Sequence, residues 1–268
     1  MYRDNPVRQA QTCMFSYLFC YHICMRKQVS VLASRARLWL QNPVAFAVLV
    51  GAALVYVGAL VSGLAEDVLD SDSIVLADSW LSHWLAAHRT PVGIGIFDAI
   101  TFLGNWEVAV IVLAAAVVFL WNRRRRSALA MIVAATGSQI VVSLGKVGFG
   151  RPRPPTVLGV ITPLDASFPS GHSSISVALY ALGFYLLFRS ARSPRLKRLW
   201  LALAFLFPLL IGFSRLYLGA HYLSDVLGGW GVGLWWSILV VGVPDFVRRR
   251  SAANTQAADL RSRPNTAK

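Results

Sequence analysis

Residues 123–146 read RRRRSALAMIVAATGSQIVVSLGK: four arginines, nineteen residues without a charge, and one lysine. A helix needs about 20 mostly apolar residues to cross the hydrocarbon core of a bilayer, and this run, bounded by cations at both ends, meets that need. Read outward in both directions, the chain holds six such runs, near residues 43–65, 106–121, 127–146, 172–188, 199–214 and 222–247. The fold class expected is therefore all-α, a polytopic membrane protein with six transmembrane helices, and an even number of crossings puts both termini on one side. The composition agrees, since 56% of the 268 residues are hydrophobic and only 14% are charged, too apolar for an ordinary soluble domain.

The net charge of +14 would suit nucleic acid if it lined one polar face. Lys and Arg instead stand in short clusters between the apolar runs, so no nucleic-acid partner is expected. Along the alternating path those clusters fall unevenly. Arg3, Arg8, Arg26, Lys27, Arg35 and Arg37 share one side with Arg123, Arg124, Arg125 and Arg126, with Arg189, Arg192, Arg195, Lys197 and Arg198, with Arg248, Arg249 and Arg250, and with Arg261, Arg263 and Lys268. The other side holds Arg89, Lys146, Arg151, Arg153 and Arg215, beside the acidic Glu66, Asp67, Asp70, Asp72 and Asp78. With 21 of 26 cations on one side, the positive-inside rule makes that side cytoplasmic and the other extracytoplasmic.

Shorter segments complete the organisation. Residues 73–89 place Ile74, Trp80, Leu81, Trp84 and Leu85 near one helical face and Asp78, Ser79, His83 and Arg89 elsewhere, the pattern of a helix lying in the outer interface. Residues 93–103 are apolar but too short to span, which suits a re-entrant or interfacial piece. The domains expected are a cytoplasmic arm over 1–40, a membrane domain over 41–250 and a flexible cytoplasmic tail over 251–268. Cys13, Cys20 and Cys24 all fall in the arm and imply no structural disulfide, and Cys20, His22 and Cys24 match no standard zinc spacing. The apolar stretch 14–24 lacks a small-residue cleavage site, so no cleaved signal peptide is expected. Gly229 and Gly233 form a small-residue pair suited to close helix packing.

Three polar clusters sit where apolar runs end, a depth at which charges are costly unless they have a task. Lys146 closes the third run and is followed by Gly150-Arg151-Pro152-Arg153-Pro154-Pro155, where proline stiffness holds guanidinium groups in a geometry that suits a doubly charged oxyanion. Pro169-Ser170-Gly171-His172 opens the fourth run. Ser170 can cap that helix, and Gly171 lets the backbone approach an anion at the positive end of the helix dipole. Ser214-Arg215 is followed after five residues by His221 and after three more by Asp225. That last spacing puts His and Asp one helical turn apart, where the carboxylate can fix the imidazole tautomer and free the other nitrogen for attack. All three clusters fall on the side opposite the 21 cations, so one pocket can hold them.

Taken together, the three clusters resemble the complete signature of the type 2 phosphatidic acid phosphatase family, which shares its fold and site with bacterial acid phosphatases and vanadium haloperoxidases. The similarity runs over about residues 43–247. It implies an integral membrane enzyme that hydrolyses a phosphate monoester or pyrophosphate of a lipid, such as phosphatidic acid, phosphatidylglycerol phosphate or undecaprenyl pyrophosphate. Lys146, Arg153 and Arg215 would bind the phosphoryl oxygens with help from Ser170 and the backbone of Gly171. His221, held by Asp225, would attack phosphorus through a phosphohistidine intermediate, and His172 would protonate the leaving oxygen. No metal or other cofactor is expected, because three cations take the metal's place, and the partners are the lipid phosphate substrate and membrane lipids. Arg151, outside the family's fixed positions, is expected to serve the outer head-group region. The alternatives are a lipid phosphotransferase of the same fold and a non-catalytic lipid-phosphate binding or transport protein, the second disfavoured because binding alone needs no positioned nucleophile and acid.

Overall fold

The computed structural model describes residues 42–70, 73–155 and 166–262, and every regular element among them is helical. In chain order these are α1 (Pro43–Asp70), α2 (Ser73–Ala87), α3 (Pro91–Phe102), α4 (Trp106–Phe149), α5 (Gly171–Ser190), α6 (Pro194–Tyr217) and α7 (Leu223–Ser262). Two compact units divide them. Residues 50–244 form one; residues up to 49 and those from 245 onward form the other, of which 42–49 and 245–262 are described. In the smaller unit Asp245 pairs with Arg248, and the Arg249 guanidinium lies 4.2 Å from the centre of the Phe46 ring. The arm over 1–40, with its three cysteines, and the last six residues lie outside the described residues. α7 continues as helix to Ser262, past the boundary expected at residue 250.

The long α4 shows how the sequence places its breaks. Its 44 residues extend for about 66 Å at 1.5 Å per residue, twice the hydrocarbon core, so a straight helix would overrun a bilayer. Arg124 leaves helical geometry, at φ −147° and ψ 52°, inside the run of arginines that favours water or head groups. The second arm, Arg124–Phe149, is long and apolar enough to cross a membrane, as are α1, α5, α6 and α7. α3 and the first arm of α4 meet the test only as a pair, bent by 45°. The chain is thus a polytopic all-α membrane protein with five such helices, or six when the bent pair counts as one. The run expected to span over 106–121 meets that test only together with α3. Thr90 caps α3, with Pro91 at its first position, and Gly104-Asn105 separates it from α4, so the segment over 93–103 forms the first half of the bent pair.

Inside the larger unit, Met131, Ile175, Leu179 and Ile211 build a buried core with Tyr180, whose hydroxyl donates to the Leu103 carbonyl at 2.6 Å. Val55, Ile111, Val118 and Phe205 are exposed large apolar side chains that a lipid environment covers without penalty. The Gly229 and Gly233 pair performs the close packing expected of it: a Cβ on either would meet the carbonyl oxygens of Ser170 and Ser174 at 2.4 and 2.5 Å. α7 therefore lies backbone to backbone against the start of α5.

Candidate active site

The three polar clusters converge in the larger unit, each placed by a helix end. α4 ends in a left-handed turn at Gly150, φ 57°, whose N–H returns to the Lys146 carbonyl at 3.0 Å. The Arg151-to-Pro155 loop thus leaves directly beside Lys146. α5 opens with Ser170 at its cap, accepting from Ser173 N at 3.4 Å, and Ser170 N donates to the Asp225 carbonyl at 2.9 Å. Gly171 and His172 occupy the first turn, with the Gly171 carbonyl accepting from Gln139 Nε2 at 3.4 Å. α6 closes on Arg215 and Tyr217; the chain then bends through Gly219, φ 70°, while Ala220 N and His221 N donate to the Arg215 carbonyl at 2.9 and 3.3 Å.

His221 therefore sits in the bend before α7, whereas Asp225 stands third in that helix, so the two do not share one helical face. The expected proximity survives, because Asp225 folds back on the helix start and accepts from Tyr222 N at 2.8 Å through Oδ2. The same oxygen is 3.4 Å from Nδ1 of His221, an ion-pair separation without a formed hydrogen bond, and Nδ1 has no hydrogen-bond partner in the structure. His221 is 3% exposed. Burial lowers its pKa from the ordinary 6.5 to about 4; Asp225 acts against burial, while Arg215 and Arg153 reinforce it. At neutral pH the ring is uncharged and keeps a lone pair.

The cations gather around the two histidines. Arg215, Arg153, Lys146 and His221 all lie within electrostatic reach of His172. Arg153 Nη1 donates to the Ala220 carbonyl at 2.9 Å, which ties the proline-stiffened loop to the backbone beside His221. Arg215 Nη1 donates to Thr101 Oγ1 at 2.8 Å, and His172 Nε2 is 2.9 Å from Asn105 Oδ1. All eight residues singled out from the sequence, Lys146, Arg153, Ser170, Gly171, His172, Arg215, His221 and Asp225, thus belong to one neighbourhood. Such an array offers positive charge for a phosphoryl group, a neutral nucleophile and a second imidazole for proton transfer. Among the described residues, no three or more His, Cys, Asp or Glu side chains assemble into a group able to hold a metal ion.

Arg151 departs from its expected place at the head groups. Its side chain is 9% exposed and donates to Asp225 Oδ1 at 2.7 Å, Ser224 Oγ at 2.7 Å and Asp78 Oδ2 at 2.9 Å. Two buried carboxylates need a buried cation, and this arginine supplies it. Burial alone would lower its pKa, but Asp225 and Asp78 outweigh burial and raise it. Asp78, Ser224, Asn105 and Thr101 were not recognised as site residues from the sequence. Asp78 reads there as one more acidic residue of an interfacial helix, and the only sign for Asn105 is its place after glycine between two apolar runs.

Residues 127–249 match the PAP2 superfamily. The chain is 27% identical to phosphatidylglycerophosphatase B of Bacillus subtilis over 204 residues, which cover 75% of this chain and 93% of that protein. An undecaprenyl-diphosphatase of Sulfolobus acidocaldarius is 30% identical over 133 residues, 48% of this chain and 60% of the relative. The crystal structure of a transmembrane PAP2 type phosphatidylglycerolphosphate phosphatase from Bacillus subtilis superposes with a TM-score of 0.62 at 28% identity, over 72% of this chain and 96% of that one.

Proposed function

Since the chain belongs to the PAP2 superfamily, we propose that it is a membrane lipid phosphatase that hydrolyses a phosphate monoester or pyrophosphate of a lipid through a phosphohistidine on His221. The observation that carries this reading is the meeting of Lys146, Arg153 and Arg215 around His172 and a buried, neutral His221. The three cations and the backbone at Ser170 and Gly171 neutralise the phosphoryl oxygens. The free ring nitrogen of His221 then forms a bond to phosphorus as the bond to the lipid oxygen breaks. His172 gives that oxygen its proton, and Asp225 stabilises the imidazolium. In the second step water attacks phosphorus, His172 takes the water's proton and the nitrogen–phosphorus bond breaks. Nε2 of His172 lies 2.9 Å from Asn105 Oδ1, a contact that orients the ring; as the imidazolium it gives a proton to the leaving oxygen, and as the neutral ring it takes one from water. The substrate class follows the relatives' names, with phosphatidylglycerol phosphate, phosphatidic acid and undecaprenyl pyrophosphate as the lipids to test. The site faces the extracytoplasmic side, with both termini cytoplasmic, on the strength of the cation asymmetry.

The test is phosphate release from the detergent-solubilised chain with no acceptor alcohol present, on a panel of those lipids. Release, with retention of configuration at a chiral phosphorus, supports two in-line displacements. Inversion, or substantial turnover by His221→Ala, removes the covalent step; transfer only to an added acceptor makes the chain a phosphotransferase; binding without turnover makes it a binding protein.

A further inference from the structure

Asp225 has two carboxylate oxygens with different partners. Oδ2 faces His221 at 3.4 Å and accepts from Tyr222 N at 2.8 Å. Oδ1 accepts from Nη1 of Arg151 at 2.7 Å, a nitrogen that also reaches Ser224 Oγ. The other arm of the guanidinium, Nη2, donates to Asp78 Oδ2 at 2.9 Å. Asp78 in turn takes Ser224 N on Oδ1 at 3.0 Å and the Ser224 hydroxyl on Oδ2. The Arg151 guanidinium lies 4.3 Å from the centre of the Tyr222 ring. Asp78 is 1% exposed, and Ser224 and Asp225 are fully buried. The fork therefore links α2, the loop after α4 and the first turn of α7.

Such a fork has a definite consequence for the carboxylate. Gripped only by a backbone N–H and facing a ring nitrogen to which it makes no hydrogen bond, Asp225 could rotate about its Cβ–Cγ bond. A planar donor on the opposite oxygen fixes that rotation, which a point charge does less well. Charge matters too. Two carboxylates and one guanidinium leave one net negative charge, enough to favour an imidazolium as the nitrogen–phosphorus bond forms, and too little to hold a proton on His221 beforehand.

We propose that Arg151 and Asp78 are positioning residues of the site: Arg151, held by Asp78 and Ser224, takes one oxygen of Asp225 and so aims the other at His221. The inference rests on His221 being the nucleophile. It assigns Arg151 to the reacting histidine and not to the lipid head group, and it makes α2 part of the catalytic support.

The experiment uses the full chain in detergent micelles with phosphatidic acid, following turnover, phosphoenzyme and the pH dependence of kcat/KM. Arg151→Gln should lower kcat on the order of 100-fold with KM changed less than about 3-fold, since the groups that hold phosphate are intact. Arg151→Lys should restore about a tenth to a third of the wild-type kcat, as a cation that replaces only part of the fork. The acid limb should move upward in Arg151→Gln, because the uncompensated Asp225 charge then favours protonated His221 against Arg215, Arg153 and His172, which face it from the other elements. Asp78→Asn should lower kcat on the order of 10-fold alone and add little in the Arg151→Gln background. Should Arg151→Gln show no thermal unfolding transition, Asp78→Asn and Ser224→Ala carry the same kcat and pH tests with the guanidinium in place. A raised KM with unchanged kcat would return Arg151 to the head groups, and additive effects of the Asp78 and Arg151 changes would break the proposed chain of contacts. A fixed acid limb with wild-type kcat in these variants would overturn the proposal outright. Turnover or phosphoenzyme in His221→Ala, by contrast, sinks the phosphohistidine reading itself, whatever Arg151 does.

Discussion

At the scale of single residues, burial and charge compete over His221. The site would be idle at neutral pH if Asp225 raised its pKa enough to keep the ring protonated, and the balance falls the other way, to about 4. Activity on the acid side should therefore fall with an apparent pKa near 4 in kcat/KM, not near 6.5; an acid limb at 6 or above, shared by Asp225→Asn, would show that burial does not control this ring. The same shift bears on stability. Between about pH 4 and 6.5 the unfolded chain binds a proton at this position that the folded chain refuses, so the contribution is whole above 6.5 and declines as pH falls toward 4. Replacing His221 with Gln should flatten that part of the fall in melting temperature. A further expectation concerns metals. In the proposed site Lys146, Arg153 and Arg215 would supply the positive charge that a divalent ion would bring, so turnover should survive a chelator and vanadate should inhibit by imitating the five-coordinate phosphorus. Loss of turnover in chelator, restored by one divalent ion, would contradict this.

At the scale of helices, the start of α5 is held by the close approach of α7. A Cβ on Gly229 would lie 2.4 Å from the Ser170 carbonyl and 2.8 Å from Ser173 Cβ, both parts of the turn that carries Gly171 and His172. Backbone cannot step aside cheaply, so Gly229→Ala should cost about 1–3 kcal/mol and lower kcat by displacing the cap. Gly63→Ala in α1 meets nothing within 4 Å and should be neutral or slightly stabilising. Matching melting curves and kcat for the two variants would mean that the tight approach does not position the site. The sequence makes the Gly229 and Gly233 pair visible because small residues four apart recur on one face of a helix. It likewise exposes Lys146, Arg153, His172, Arg215, His221 and Asp225, because each stands at the end of an apolar run where a polar residue is out of place. Asp78 is hidden for the opposite reason. In a helix read as interfacial an acidic residue needs no explanation, and only the fold brings it across 146 positions to Ser224. The bend that takes His221 off α7 is equally hidden, since a spacing of four fits both a helical turn and a helix entered through a left-handed glycine at 219. The break between α3 and the first arm of α4 depends on Gly104-Asn105, two residues too few to register against hydropathy averaged over a span.

At the scale of the whole molecule, the placement of charge carries the proposal for which compartment supplies the substrate. Of 26 lysines and arginines, the five on the minority side include Lys146, Arg153 and Arg215 of the proposed site and Arg151, which pairs with Asp225, so each of these has a local surrounding of its own. Arg89 has one as well, donating through Nε to the Tyr217 carbonyl at 2.6 Å. Once those are accounted for, the remaining cations lie on one side of the path, and a short loop rich in Lys and Arg is retained on the cytoplasmic face. The bent pair of α3 and the first arm of α4 sets the parity of that path. If that pair turned back without crossing, α1 and the rest of the bundle would have opposite parity, and the amino terminus and the carboxyl terminus would lie on different faces. Cysteine labelling separates the two arrangements. In a background with Cys13, Cys20 and Cys24 replaced by serine, Val160→Cys between α4 and α5 should react with an impermeant maleimide on intact cells or outward-facing vesicles. Ala191→Cys between α5 and α6 should react only after the inner face is opened, as should a cysteine introduced at Asn5. If Asn5→Cys and Val160→Cys are both labelled from outside, the pair is re-entrant; if Val160→Cys reacts only from inside, the site faces the cytoplasm and the lipid phosphates it meets are those of the inner leaflet.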